Sequence, residues 1–258
     1  MNSSTPPPAA EKAVYVNQMF AGIAQRYDLV NRLMTGGQDV SWRREVVALC
    51  RLPAGGRLLD VGTGTGDIAY EAKHTHPDAE VIGCDFTFEM MDVGRRKRAQ
   101  QSPRIRSGRQ RDSVEFVQGD GLDLPFADGY FDAVASGFLL RNVTDVDTCL
   151  AEQRRVTRPG GRIVCLETSP PPPTLLEPML RFYMLRIIPV VGQLFATGIG
   201  TQGNSFRPRD SAYCYLPQST VAFLQPDEMA QKFERAGFRH VSYVRKMMGT
   251  VAIHVGTA

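Results

Sequence analysis

The sequence predicts an α/β domain: a mostly parallel, seven-stranded sheet that ends in an antiparallel hairpin and lies under a helical cover and lid. Three observations predict it. From residue 57 onward short apolar runs alternate with helical stretches, and strands joined by helical crossovers form parallel sheets buried on both faces. The first apolar run empties into a glycine loop, "LLDVGTGTGD" at 58–67. The last two β-rich runs are joined through Met247, Met248 and Gly249, a connection short enough for a hairpin.

Taken in order, residues 11–50 read as helical. Tyr15, Met19, Phe20 and Ile23 fall at helical spacing, and "DVSWRREVVALC" (39–50) repeats the rhythm. Asp39 or Ser41 is the expected cap of this second helix, and Pro53 with Gly55 and Gly56 ends the segment. Strands are expected at 57–61, 80–84, 114–117, 131–136 and 162–167, with helices at 67–74, 87–98 and 145–157. "SPPPPTLLEP" (169–178) breaks the alternation and opens an apolar, glycine-interrupted region. A helix at 225–238 follows, with Gly237 at its C-terminal end, and strands 239–245 and 249–255 close the chain. The expected organisation is a disordered tail at 1–12 and a single domain at 13–258. Within that domain 13–52 form an N-terminal helical cover and 170–223 a lid over the substrate.

Composition narrows the class. The chain has 258 residues, 43% hydrophobic and 22% charged, ordinary for a soluble domain able to bury a sizeable core. Its apolar runs fall short of the ~18 residues that crossing a bilayer requires. The segment "MNSSTPPPAAEKA" lacks an apolar signal core. Cysteines 50, 84, 149, 165 and 214 are scattered without paired spacing, so reduced core thiols in a cytoplasmic protein are expected. His74 and His76 lie in a polar turn before Pro77, and no metal is expected. The net charge of +3 conceals a basic run, "RRKRAQQSPRIRSGRQR" at 95–111, with eight cations and no acid. Such a patch can attract nucleic acid or an anionic membrane, or serve as a solvated helix end and loop.

The glycine loop carries the chemistry. Gly62, Gly64 and Gly66 are spaced G-x-G-x-G, whereas a dinucleotide fingerprint puts its third glycine at 67, where this chain has Asp67. Asp85 ends the second strand, where a carboxylate can accept both hydroxyls of a ribose. Asp60 and Asp67 flank the loop; they would repel a pyrophosphate but attract the ammonium and sulfonium of S-adenosylmethionine. Asp120 and Gly121 follow the third strand, placed to meet an adenine amino group. S-adenosylmethionine is therefore the expected cofactor. Each acid alone also suits a helix cap or turn; their succession at strand ends favours the cofactor.

Several segments together resemble the class I methyltransferases, and specifically the menaquinone/ubiquinone-biosynthesis C-methyltransferases. They include "MFAGIAQRYDLVNRLMTGG" (19–37), "LDVGTGTGD" (59–67), "GDGLDLPFADGYFD" (119–132), "GFLLRNVTD" (137–145) and "RPGGRIVCLE" (158–167). The resemblance covers most of 17–255, with the basic run longer than the family's usual connection and 170–206 matching loosely. It implies a Rossmann-like fold, methyl transfer to a demethylated isoprenoid quinol, and cofactor contacts at Thr65 and Ser136. With the acids and glycines above and Phe86 beside Asp85, the expected cofactor set is Asp60, Gly62, Gly64, Thr65, Gly66, Asp85, Phe86, Asp120, Gly121 and Ser136. A quinol ring carbon becomes nucleophilic once a neighbouring hydroxyl loses its proton. Arg141 and Asn142, at the end of the fourth strand, are expected to face the crevice. Arg141, always protonated, would polarise a water or stabilise the quinolate, with Asp67 and Tyr27 holding that water. Expected partners are a prenylated quinol, a membrane surface in peripheral contact and a second copy in a homodimer; nucleic acid is not expected, since the basic run contains no aromatic residue. Another small aromatic or polyketide-like acceptor, or a non-catalytic binding scaffold, remains open from sequence.

Overall fold

The computed structural model describes residues 9–101, 114–190 and 212–258. Most of the basic run (102–111) and part of the lid (191–211) lie outside the described residues. Three helices come first: α1 (Ala9–Ile23), α2 (Tyr27–Thr35) and α3 (Gln38–Cys50). α1 already begins inside the stretch expected to be a disordered tail. Neither Asp39 nor Ser41 caps α3. Its N-cap is Gly37, and Asp39 is instead fully buried, bonded to Arg43 and Thr35. The local pattern could not reveal that a cap-like aspartate would be taken by tertiary partners.

The sheet and its crossovers then alternate: β1 (Arg57–Val61), α4 (Asp67–Thr75), β2 (Glu80–Asp85), α5 (Phe88–Gln101), β3 (Glu115–Gln118), β4 (Phe131–Gly137), α6 (Val146–Val156) and β5 (Thr157–Thr168). The lid contributes α7 (Glu177–Phe182), continued by a π-helical turn at Tyr183–Ile187, and α8 (Ala212–Val221). α9 (Pro226–Arg235), β6 (Arg239–Lys246) and β7 (Val251–Thr257) complete the chain. Local signals set the boundaries. Asp145 caps α6 by accepting from the amides of Asp147 and Thr148. Gln225 and Glu228 form a reciprocal capping box on α9, and Gly237, at φ +91°, leads the chain away from it.

The strand order is β3-β2-β1-β4-β5-β7-β6. β1 to β5 pair in parallel, and β7 runs antiparallel to both β5 and β6. Leu58, Val164 and Leu166 face one way, against Trp42, Val46 and Ile68 of α3 and α4. Leu59, Ile163 and Cys165 face the other, over Phe131, Leu150 and Phe233. Burial on both faces explains why these strands read as unbroken apolar runs. The order reverses between β1 and β4, and the crevice at such a reversal is where open α/β sheets bind ligands. Among the described residues no helix is long and apolar enough to cross a membrane. Cys50 and Cys165 are buried and their thiols pushed upward by burial; Cys84 and Cys149 are pushed up to about 12 for the same reason.

Candidate active site

A cleft of about 180 Å³ opens at the reversal point, over the C-terminal ends of β1, β2 and β4. Its floor is the glycine loop. Gly62, Gly64 and Gly66 all take positive φ, +68°, +57° and +82°, a region that side chains other than glycine enter only at a cost of about 1–2 kcal/mol. Space adds a second demand: a Cβ on Gly62 would stand 2.8 Å from Leu139 Cδ1, and one on Gly66 2.9 Å from Phe116 and Tyr70. The amides of Gly62 and Thr63 both donate to Cys84 O, which fastens the loop to the end of β2.

The carboxylates fit the expected cofactor in different ways. Asp60 is 1% exposed; its Oδ2 accepts from Thr63 Oγ1 and the Ala69 amide, while its Oδ1 is buried without a partner. Burial pushes this carboxyl up to about 7, against the pull of those two hydrogen bonds. An orphaned carboxylate oxygen on the wall of a cleft suits a cationic ligand group such as an ammonium. Asp85 accepts one amide on each oxygen, Thr87 N on Oδ1 and Gly64 N on Oδ2, both at 2.8 Å. Each oxygen keeps lone-pair capacity, as a ribose diol requires. Burial raises this carboxyl as well. Phe86, Asp120 and Gly121 line the same cleft, and Asp120 turns its loop by accepting from Leu122 N. Ser136 does not line it. β4 runs one residue beyond its expected end, so Ser136 is fully buried inside the sheet opposite Cys165, and Gly137, Phe138 and Leu139 reach the cleft instead.

The cover supplies walls that the strand pattern did not single out. Ala13, Val16, Asn17 and Phe20 of α1 line the cleft. Lys12 Nζ fastens that helix by donating to Val143 O at 2.7 Å and Arg141 O at 3.2 Å. Thr65 is anchored to the cover, its hydroxyl donating to Asp28 Oδ1 at 2.7 Å. Asp67 lines the cleft and is ion-paired on both oxygens. Lys97 holds its Oδ1 and Arg43 its Oδ2, each at 2.6 Å, and Lys97 also binds Asp28. Through these ion pairs Asp67 ties α4, α3 and α5 together at the wall of the cleft, which it lines with Tyr27.

Arg141 and Asn142, expected together in one crevice, part company. Asn142 lines the cleft over the glycine loop; its Nδ2 donates to Phe138 O and its Oδ1 is buried without a partner. Arg141 lines a second, apolar cavity of about 110 Å³ among α2, α3, α7, α8 and the β6–β7 turn. Its Nη1 is ion-paired with Glu167, the side chains 6% and 2% exposed, and its Nε has no partner. Phe138 lines both spaces. It stands at φ +58°, unusual for a bulky residue, and the Arg141 guanidinium lies 5.3 Å from its ring centroid. Half-buried Tyr27 borders the glycine-loop cleft, its phenol raised by burial although Arg141 pulls it down. Neither Glu167 nor Phe138 was singled out by the sequence pattern. The available signal was a lone glutamate at the end of the otherwise apolar run "RIVCLE".

The model of the ubiE/COQ5 methyltransferase family matches residues 9–258. A demethylmenaquinone methyltransferase of Roseiflexus castenholzii is 43% identical, with 99% of this chain and 98% of that protein covered. One from Thermus thermophilus is 41% identical, over 92% of this chain and 99% of the relative. The ubiquinone/menaquinone biosynthesis C-methyltransferase UbiE of Desulfotalea psychrophila is 41% identical, over 93% and 89%. In fold, the chain resembles a SAM-dependent methyltransferase from Thermotoga maritima, with a TM-score of 0.61, 16% identity, and 94% and 99% of the two chains covered.

Proposed function

The chain belongs to the ubiE/COQ5 methyltransferase family, and from that premise we propose that it transfers a methyl group from S-adenosylmethionine to a ring carbon of a demethylated isoprenoid quinol, demethylmenaquinol. The observation that carries the reading is the junction at Phe138. There a cleft suited to the donor meets an apolar cavity bearing one buried guanidinium. The names of the relatives, demethylmenaquinone methyltransferases among them, agree with it.

Bound S-adenosylmethionine supplies a methyl group already activated by its sulfonium. The protein's tasks are alignment, exclusion of water and proton management: a hydroxyl proton leaves before the ring carbon takes the methyl from sulfur, and the C–H proton of the methylated carbon then leaves as the hydroxyl is restored. The three left-handed glycines let backbone approach the donor, and Asp60 and Asp85 offer oxygens to it. Arg141 remains a cation, so it cannot take the quinol proton. A fixed positive charge favours the quinolate, and the hydroxyl surrenders its proton to water more readily beside it. Glu167 keeps that guanidinium aimed and Nε is free to donate. Asn142 Oδ1 is an acceptor for a quinol hydroxyl on the donor side.

Peripheral contact with a membrane is part of the proposal. Leu175 is fully exposed and Phe182 62% exposed; Met179 and Leu185 are exposed too, with Arg181 and Arg186 among them. An apolar helical face with interspersed cations suits an anionic lipid surface. The test of the reaction is incubation with labelled S-adenosylmethionine and reduced demethylmenaquinones, followed by mass spectrometry of the product. Label on a ring carbon is expected. Label on oxygen, or none on any quinol, would overturn the proposal.

A further inference from the structure

We propose that the apolar cavity beyond Phe138 is the subsite for the isoprenoid tail of the acceptor, with Phe138 as the partition between tail and methyl donor; this rests on the quinol reading above. The ring would stand at the partition, between Asn142 on the donor side and Arg141 on the other.

Four observations fix the occupant as hydrocarbon continuous with the ring. First, Phe138 belongs to both walls, so a substituent leaving a ring at the donor cleft passes directly into this cavity. Second, the threonine hydroxyls of the cavity wall are already spent. Thr168 and Thr220 bond each other at 3.0 Å, Thr220 also donates to Leu216 O, Thr35 to Asn31 O and Asp39, and Thr250 to Met247 O. A polar ligand would find few groups to bind there: among the wall residues, Arg141 Nε beside the partition and Asn31 Nδ2 are the buried polar atoms without a partner. Third, Leu180, Met184 and Ile188 form one buried stripe along the cavity, four residues apart. The π-helical turn at Tyr183–Ile187 widens the helix and slows its rotation, which keeps Ile188 under the first two. Fourth, the outward side of the same segment exposes Met179, Phe182 and Leu185. Hydrocarbon emerging from the cavity therefore meets further hydrocarbon surface, with Arg181 and Arg186 interspersed in it.

Phe138 is held for this position. Its amide donates to Leu166 O at 2.7 Å and its carbonyl accepts from Asn142 Nδ2 at 2.9 Å. These two bonds clamp a left-handed phenylalanine that belongs to the walls of both spaces.

The chain carries one tryptophan, Trp42, and it lines this cavity at 3% exposure, so a ligand there can be read without turnover. The probe is farnesol, a tail without a ring. It is expected to change Trp42 emission in the wild-type protein and to be displaced by a prenylated demethylnaphthoquinone. Leu180→Phe and Met184→Phe, made separately, narrow the cavity; circular dichroism and donor affinity verify that each variant folds. In the wild type a tail should lower KM about ten-fold or more relative to tail-less 1,4-naphthoquinol, the scale on which apolar pockets discriminate. The narrowed variants should lose most of that preference while KM for the tail-less quinol stays unchanged. Trp42 emission indifferent to farnesol, or a preference for tails that survives both substitutions, would overturn the assignment. If farnesol perturbs Trp42 but neither quinol is methylated, the tail subsite stands and the reading of the reaction falls.

Discussion

At the scale of single residues, the cleft carries carboxylates whose environments differ. Asp60 is raised by burial to about 7 in the absence of ligand, well above the ~3.9 of a free aspartate. A group held more protonated in the folded state than in the unfolded one stabilises the fold at low pH. That contribution is lost as pH rises from about 4 through about 7. The donor-free protein should therefore melt at lower temperature at pH 8 than at pH 5.5. A cation beside Asp60 favours its ionised form, so donor affinity should climb over the same interval with release of a proton. Calorimetry in buffers of unequal ionisation heat measures that release, and Asp60→Asn should abolish it. Glu167 poses a different problem, since its removal strands a buried guanidinium. Glu167→Gln should cost about 3–5 kcal/mol, the usual penalty for breaking a buried pair, measured by urea unfolding. Arg141→Lys retains the charge but loses the planar fork. It should lower kcat at least ten-fold, about 1.4 kcal/mol of barrier, with the donor dissociation constant unchanged.

At the scale of elements, the cover is the part most open to perturbation. α1 is held over the cleft by Lys12 on two carbonyls of the loop after β4, and a hydrogen bond from a charged group contributes about 1.5–3 kcal/mol. Lys12→Ala should speed hydrogen exchange across Ala13–Phe20 and weaken donor binding, with exchange in β1 and β4 unaffected. Most strands were legible in advance, because two-sided burial writes itself as short apolar runs; β5, expected from 162, instead begins at Thr157, in a stretch without such a run. β1 begins and ends where the pattern put it, and β2, β4 and α6 differ by a residue or so. Contacts between elements were not legible. Lys12 meets Val143, Asp28 meets Thr65 and Arg141 meets Glu167, pairings of residues far apart in the chain that no local periodicity encodes. The same limitation explains Asp67, whose position opening a helix after the loop was readable while its two cationic neighbours were not.

At the scale of the whole molecule, the lid faces two ways. Its inner side lines the cavity and its outer side carries Met179, Phe182 and Leu185 into solvent. The protein should sediment with anionic vesicles and stay in solution with zwitterionic ones. Phe182→Asp combined with Met179→Asp should abolish sedimentation while leaving methylation of a tail-less quinol intact; sedimentation that persists would place the lipid contact elsewhere. The sheet carries one further consequence. β7 is inserted between β5 and β6 and pairs with β5 along seven residues, so Val251–Thr257 close a central seam. During synthesis the five parallel strands emerge from the ribosome long before their missing neighbour. Until residue 257 is free, β5 presents a bare ladder of amides and carbonyls to any passing chain. Vectorial folding of this polypeptide should therefore stall at a sticky intermediate, released only when β7 slots home.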